Sequence, residues 1–152
     1  MAQRRPLRDD LTLLVSVVAH VTRQTQEQQL AALGLGVRDH MVLSAVAAGA
    51  PNQLAIADMA GIDKSTLIPV LDRLEAEQLL QRHPDPADRR VRLVTLTPKG
   101  RRTLGKSQGT VMATEEDLLA DLTPKEQAQF RGMLQRVVEG RMSAMSVPGS
   151  CL

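Results

Sequence analysis

Apolar residues recur along the chain at helical spacing over most of its length, and in one stretch the period falls to two. Leu7, Leu11, Leu14, Val15, Val18 and Val21 fall three and four apart, on one face of a helix. That helix is expected from about Pro6, a favourable first-turn residue, to about Leu33, where Gly34 and Gly36 end it. A second, from about Val37 to Ala48, carries Met41, Val42, Ala45 and Val46 and stops at Gly49-Ala50-Pro51. Asn52 caps a short third helix through Ala60, with Gly61 as its stop. Asp63 caps a fourth, whose Leu67, Val70, Leu71 and Leu74 occupy i, i+3, i+4 and i+7. Two short helices joined by a tight glycine turn make a helix-turn-helix.

Beyond this point the period changes. Leu79 to Arg82 reads as one strand and Val91 to Leu96 as another, with Val91, Leu93 and Thr95 alternating against Arg92, Val94 and Leu96. His83-Pro84-Asp85-Pro86-Ala87-Asp88-Arg89-Arg90 between them is a charged, turn-rich connection. A two-stranded hairpin is not stable alone, so it leans on the helix-turn-helix, which makes a winged helix. Thr97-Pro98 then starts a helix running to about Leu122. Thr123-Pro124-Lys125-Glu126 starts another with a full capping box, and Phe130, Met133, Leu134, Val137, Val138 and Met142 form its apolar stripe. The tail from Ser143 onward is expected to fray. The fold class is therefore mainly α (α+β): a winged helix-turn-helix with a two-stranded wing, plus amino- and carboxy-terminal helices.

Composition narrows the picture. The 152 residues make about one domain, and the single Cys151 leaves no intrachain disulfide, as in a cytoplasmic protein. With no Trp, no Tyr and only Phe130, the core must be aliphatic, and recognition of single strands by ring stacking is disfavoured. Arg4, Arg5 and Arg8 before the run Leu11 to Val21 imitate an export signal. Asp9 and Asp10 at the junction, the polar Thr12, Ser16 and His20, and the missing A-x-A site argue for a helix instead. No run approaches the ~18 apolar residues of a membrane span. His20, His40 and His83 share no metal-ligand spacing, no nucleophile motif or phosphate-binding glycine loop is present, and neither metal nor cofactor is expected. Cys151 reads as an incidental thiol.

The net charge of +2 hides an asymmetry: residues 64–102 carry +4, and each flank carries −1. The basic excess thus coincides with the fourth helix and the wing, the region whose shape suits a duplex.

Four blocks carry a family resemblance. Ile62-Asp63-Lys64-Ser65-Thr66-Leu67, Leu71-Asp72-Arg73-Leu74-Glu75, Asp85-Pro86-Ala87-Asp88-Arg89-Arg90 and Leu96-Thr97-Pro98-Lys99-Gly100 resemble the MarR-type (multiple antibiotic resistance regulator) transcription factors. The D-x-R wing followed by L-T-x-x-G is the specific part. The resemblance implies a homodimer on a pseudo-palindromic operator, usually repressing and often released by a small anionic or phenolic ligand or by oxidation. Two positions depart from it. Gln78 stands where the family commonly has Gly, and Pro69 lies inside the recognition helix, crowding the Ser65 carbonyl. The reactive Cys that the family's thiol sensors keep near the first helix is absent. The lack of Trp and Tyr disfavours the urate-type subgroup.

With Leu67, Val70, Leu71 and Leu74 packed inward, Ser65, Thr66, Ile68, Pro69, Asp72 and Arg73 face the groove. Lys64 and Ser65 sit at the positive helix end beside phosphate, and Ser65, Thr66, Ile68 and Pro69 are candidates for base reading. The bland alternative is that Ser65 and Thr66 merely complete the cap. By resemblance, Arg90 enters the minor groove, Asp88 braces its guanidinium, and Arg89 and Arg92 meet phosphates. Leu7, Leu11, Leu14, Val18, Phe130, Met133, Leu134, Val137 and Val138 are the candidate dimer contacts, against ordinary core as the alternative. His20, Arg23 and His40 are candidates for an effector, against plain core or surface roles. The chain divides into dimerisation helices 1–36 and 123–152, a DNA-binding region 37–104 and a connecting helix 105–122. The leading reading is a ligand-released repressor without enzymatic activity. A constitutive or activating regulator, a protein-interaction module and a small helical enzyme follow in that order.

Overall fold

The computed structural model describes residues 9–142, with the side chains of 141 and 142 left aside. Pro6, Leu7, the tail from Ser143 and Cys151 lie outside the described residues. The elements are α1 (Leu11–Ala31), α2 (Val37–Ala47), α3 (Gln53–Ala60), α4 (Lys64–Ala76), β1 (Leu80–Pro84), β2 (Arg92–Leu96), α5 (Pro98–Leu118) and α6 (Pro124–Met142).

Side-chain caps set most of the helix starts. Asn52 accepts from the Ala55 amide, Asp63 from Thr66 and Thr97 from Gly100, each three residues on. In α6, Glu126 accepts from the Thr123 amide at 2.8 Å while Thr123 Oγ1 faces the Glu126 amide at 3.4 Å. For α1 the structure differs from expectation. The helix begins at Leu11 rather than near Pro6, because the Asp10 carboxylate accepts from the Leu13 amide and fixes the first turn there. The wing also differs: β1 runs on to Pro84, which pairs with Arg92. Proline is tolerated there because, among the described residues, the strand has no neighbour on its other side.

The core lies among α2, α3 and α4. Val42, Leu43, Ile56, Leu67, Leu71 and Leu74 are buried in it, closed by Leu30, Leu80, Val94 and Leu104 from the surrounding elements. The hairpin is sewn on at its inner end, where the Val94 amide donates to the Pro51 carbonyl and Leu93 bridges to Asn52. α5 is one continuous helix, so the division expected at 104/105 falls within it. No helix among the described residues is long and apolar enough to cross a membrane.

The terminal helices contribute little to this core. Only Leu30 of α1 is buried, while Leu11 is 67% and Leu14 48% exposed. On α6, Met133, Leu134, Val137 and Val138 are all exposed. α6 is tethered to α5 by polar contacts: Gln127 donates to the Leu119 and Leu122 carbonyls, and Arg131 pairs with Glu115 at 2.7 Å.

Between α4 and β1 the chain turns through Gln78, whose φ of 60° is left-handed. Directly opposite, a β-carbon on residue 100 would stand 1.8 Å from the Leu79 carbonyl oxygen, so only glycine fits. The Thr97 hydroxyl donates to the Gln78 carbonyl at 2.7 Å, its amide donates to Leu79 at 3.1 Å, and Lys99 Nζ donates to the Glu77 carbonyl at 2.8 Å. The L-T-x-x-G motif is thus the clasp over the end of α4. In urea unfolding, Gln78→Gly is expected to stabilise the chain by on the order of 1 kcal/mol, by relieving the left-handed side chain. Gly100→Ala is expected to destabilise it by about 2 kcal/mol or more, because the Leu79 backbone must move.

Candidate nucleic-acid interface

Three donors converge on Asp63 at the start of α4. Its carboxylate accepts from the Ser65 hydroxyl at 2.5 Å, the Thr66 hydroxyl at 2.7 Å and the Thr66 amide at 2.9 Å. These bonds hold the Asp63 carboxyl well below the usual carboxylate range, so it stays ionised as a cap. Both hydroxyl protons are therefore engaged, and Ser65 and Thr66 present acceptor lone pairs outward. Lys64, Ile68, Pro69 and Asp72 are exposed on the same helix, while Leu67, Val70, Leu71 and Leu74 are buried, as the sequence spacing implies. α4 stays continuous through Pro69, which supplies no amide to the Ser65 carbonyl.

Arg73 departs from its expected freedom. Its guanidinium is paired with the fully buried carboxylate of Asp39 on α2, whose other oxygen accepts from the Gly36 amide at 2.7 Å. An unpaired carboxylate at that depth would be strongly unfavourable, so Arg73 is held inward although its side chain remains 44% exposed. The Asp39 pairing raises the Arg73 pKa further. Spacing gave no sign of Asp39, because 34 residues separate the two.

In the wing, Arg89, Arg90 and Arg92 are exposed. The brace expected from Asp88 to the Arg90 guanidinium is not among the ion pairs of the described residues. Asp88 Oδ1 instead accepts from the Arg90 backbone amide at 3.0 Å. With Asp85 accepting from Ala87 at 2.8 Å and the Asp85 amide donating to Val91 at 3.0 Å, it shapes the tip through the backbone. A cleft of about 350 Å³ joins the two arms, lined by Asn52, Gln53 and Lys64 on one side and Arg90 and Arg92 on the other. Arg82, unremarked in the sequence, ties β1 to Glu75 and Asp72 of α4. The signal available was Glu75 itself, seven residues before Arg82 across the α4–β1 turn.

The three candidate effector residues are not gathered into one pocket. His20 and Arg23 are exposed on α1. His40 is half-buried on α2 and lines a separate pocket of about 290 Å³ with Met41, Ser44, Ala48 and Met59. Its Nδ1 lies 2.9 Å from Ser107 Oγ, and the Ser107 hydroxyl donates to the Leu104 carbonyl. The proton of neutral His40 is therefore assigned to Nδ1, leaving Nε2 as an acceptor. Burial lowers the His40 pKa, opposed by the charge of Glu115.

Comparisons with known proteins fit this geometry. The MarR family model matches residues 42–91. A putative transcriptional regulatory protein for the hcr operon of Thauera aromatica is 31% identical over 86 residues, which are 57% of this chain and 52% of that protein, so the match spans about half of that relative. A MarR-family transcriptional regulator from Rhodococcus sp. RHA1 superposes with a TM-score of 0.80 at 30% identity, over 88% of this chain and 95% of that one. The repressor CouR has been solved with a 23-mer DNA duplex, with a TM-score of 0.80, 27% identity and coverage of 87% and 94%. CouR from Rhodococcus jostii RHA1 has also been solved with p-coumaroyl-CoA, with a TM-score of 0.78, 28% identity and coverage of 96% and 99%. The chain belongs to the MarR family.

Proposed function

We propose that the protein is a homodimeric transcriptional regulator, without enzymatic activity, that binds double-stranded DNA in the cytoplasm. It acts as a repressor that a small molecule releases. The observation carrying this reading is the cleft between the start of α3, Lys64 at the start of α4 and the wing, which puts Lys64, Arg90 and Arg92 around one space suited to phosphate. CouR, solved with a duplex and with an acyl-CoA, gives the same fold both partners.

On this reading α4 lies in the major groove. Lys64 meets phosphate, the outward lone pairs of Ser65 and Thr66 accept from base amino groups, and Ile68 and Pro69 contact thymine methyls. Arg90 enters the minor groove, with Arg89 and Arg92 on flanking phosphates and Asp88 fixing the tip. Arg73 contributes by orienting α4 against α2. The exposed faces of α1 and α6 are covered by a second copy: Leu11, Leu14 and Val18 on one helix meet Met133, Leu134, Val137 and Val138 on the other, with half-buried Phe130 beside them. That pairing sets two wings about one DNA turn, ~34 Å, apart. An effector reaching His40 Nε2 meets an acceptor in a mostly apolar pocket, which suits a neutral donor on an apolar body. His20 and Arg23 from α1 would meet a more polar part of the ligand.

Selection from a random duplex pool is expected to yield a pseudo-palindrome, and recovery of no enriched sequence would refute DNA recognition. Arg90→Ala is expected to weaken binding on every sequence and to lower the salt slope by about one unit, whereas Ser65→Ala relaxes specificity. Leu134→Glu combined with Val138→Glu is expected to give monomers in sedimentation, and an intact dimer would contradict the assigned interface. Because burial depresses the His40 pKa, its neutral form stabilises the fold fully above its unfolded value near 6.5, and that contribution is lost as pH falls through the folded pKa. Stability should therefore decline as pH falls below about 6.5, and His40→Gln should flatten part of the decline.

A further inference from the structure

Arg82 is the wing arginine that faces the protein. It lies on β1 opposite Val94, and its side chain is only 21% exposed. Its backbone amide donates to Glu75 Oε1 at 2.9 Å, while Nε and Nη2 donate to Glu75 Oε2 at 2.8 and 2.5 Å. Nη2 also stands 2.7 Å from Asp72 Oδ1. The two carboxylates are three residues apart on α4, so one guanidinium grips adjacent turns of that helix. A planar fork with several bonds fixes direction as well as distance, which a lysine ammonium does not do. The hydrogen bonds to Arg82 lower the Glu75 pKa, and those to Glu75 and Asp72 raise that of Arg82, so the clamp stays charged.

Its position along the hairpin gives it leverage. The inner end is anchored by buried Leu80 and Val94 and by the bond to the Pro51 carbonyl. Outward from Arg82, β1 continues only through exposed His83 and Pro84 to the tip that carries Arg89 and Arg90. The clamp therefore sets the angle between the wing and α4. Arg82 also opposes the charge of exposed Asp72 on the helix face where a phosphate would be repelled. Isolated partly exposed pairs add little to stability, so stability alone is a weak reason for a pair with this many bonds.

We infer that Arg82 is a positioning residue for DNA recognition: through Glu75 and Asp72 it fixes the wing against α4, so that helix and wing engage one duplex together and the contribution of Arg90 depends on it. The inference rests on the DNA-binding reading, and its test has one arm with DNA and one without. Arg82→Lys keeps the charge and loses the fork, and Glu75→Gln keeps the size and loses the carboxylate.

Without DNA, both variants are expected to speed amide hydrogen exchange in Arg92–Thr95 by about tenfold while α2 amides hold their rates. With a duplex selected by the unaltered chain, Arg90→Ala is expected to cost about tenfold in affinity in the parent and under about twofold in the Arg82→Lys background. Unchanged exchange in the wing would overturn the inference. So would an equal Arg90→Ala factor in both backgrounds, the pattern of a residue that merely stabilises the fold or touches DNA on its own. If the unaltered chain binds no duplex at all, the DNA-binding reading fails and the positioning role with it. That failure is distinguishable because the exchange arm needs no DNA.

Discussion

Four elements pass through one point of this molecule: the end of α4, the start of β1, the end of β2 and the start of α5. They meet where the Leu79 carbonyl oxygen lies against Gly100, with no room for a β-carbon. The geometry of the whole winged helix hangs on that contact, since it fixes where α4 stops and where the hairpin departs. The Thr97 hydroxyl and amide and the Lys99 ammonium close over the same turn, each answering a carbonyl of residues 77–79 that the helix end leaves without a partner. The crowding is tolerated because glycine lies on one side and Gln78 accepts a left-handed backbone on the other.

Charge is divided by depth. Cations near the body are matched: Arg73 by Asp39, and Arg82 by Glu75 and Asp72. Arg89, Arg90 and Arg92 stand exposed in the wing. The +4 of residues 64–102 is thus concentrated outward, with the inner arginines serving to hold shape. Asp63 follows the same rule with opposite sign, its charge consumed by the cap it makes with Ser65 and Thr66.

Much of this was legible from the order of residues. Caps and stops act within four positions, so Asn52, Asp63, Thr97 and Gly61 placed helix ends to within a residue or two. The inward stripe of α4 followed from spacing alone, while the family's glycine at the position of Gln78 marked an unusual turn without settling that Gln78 itself takes the left-handed backbone. What escaped depends on how elements dock. Asp39 finds Arg73 only after α2 and α4 pack, and Asp88 turned out to serve a backbone amide where a guanidinium was expected. The separate placement of His40 from His20 and Arg23 has a similar origin. The rotation of α1 about its own axis relative to α2 is set by packing, and periodicity is silent on it.

The continuity of α5 has a mechanical consequence. Its 21 residues form a rod about 30 Å long, seated at Gly100 without slack at one end and carrying α6 through Glu115, Leu119 and Leu122 at the other. A tilt of about 4° at the far end corresponds to a displacement of about 2 Å across that length. The seat at Leu79 has no clearance, and Leu104 and Ser107 are buried farther along, so the first turns of the rod are fixed against the end of α4 and the core. The length of the rod turns a small difference of angle at Gly100 into ångströms of placement for α6, and the lack of clearance at Leu79 is what keeps that angle defined.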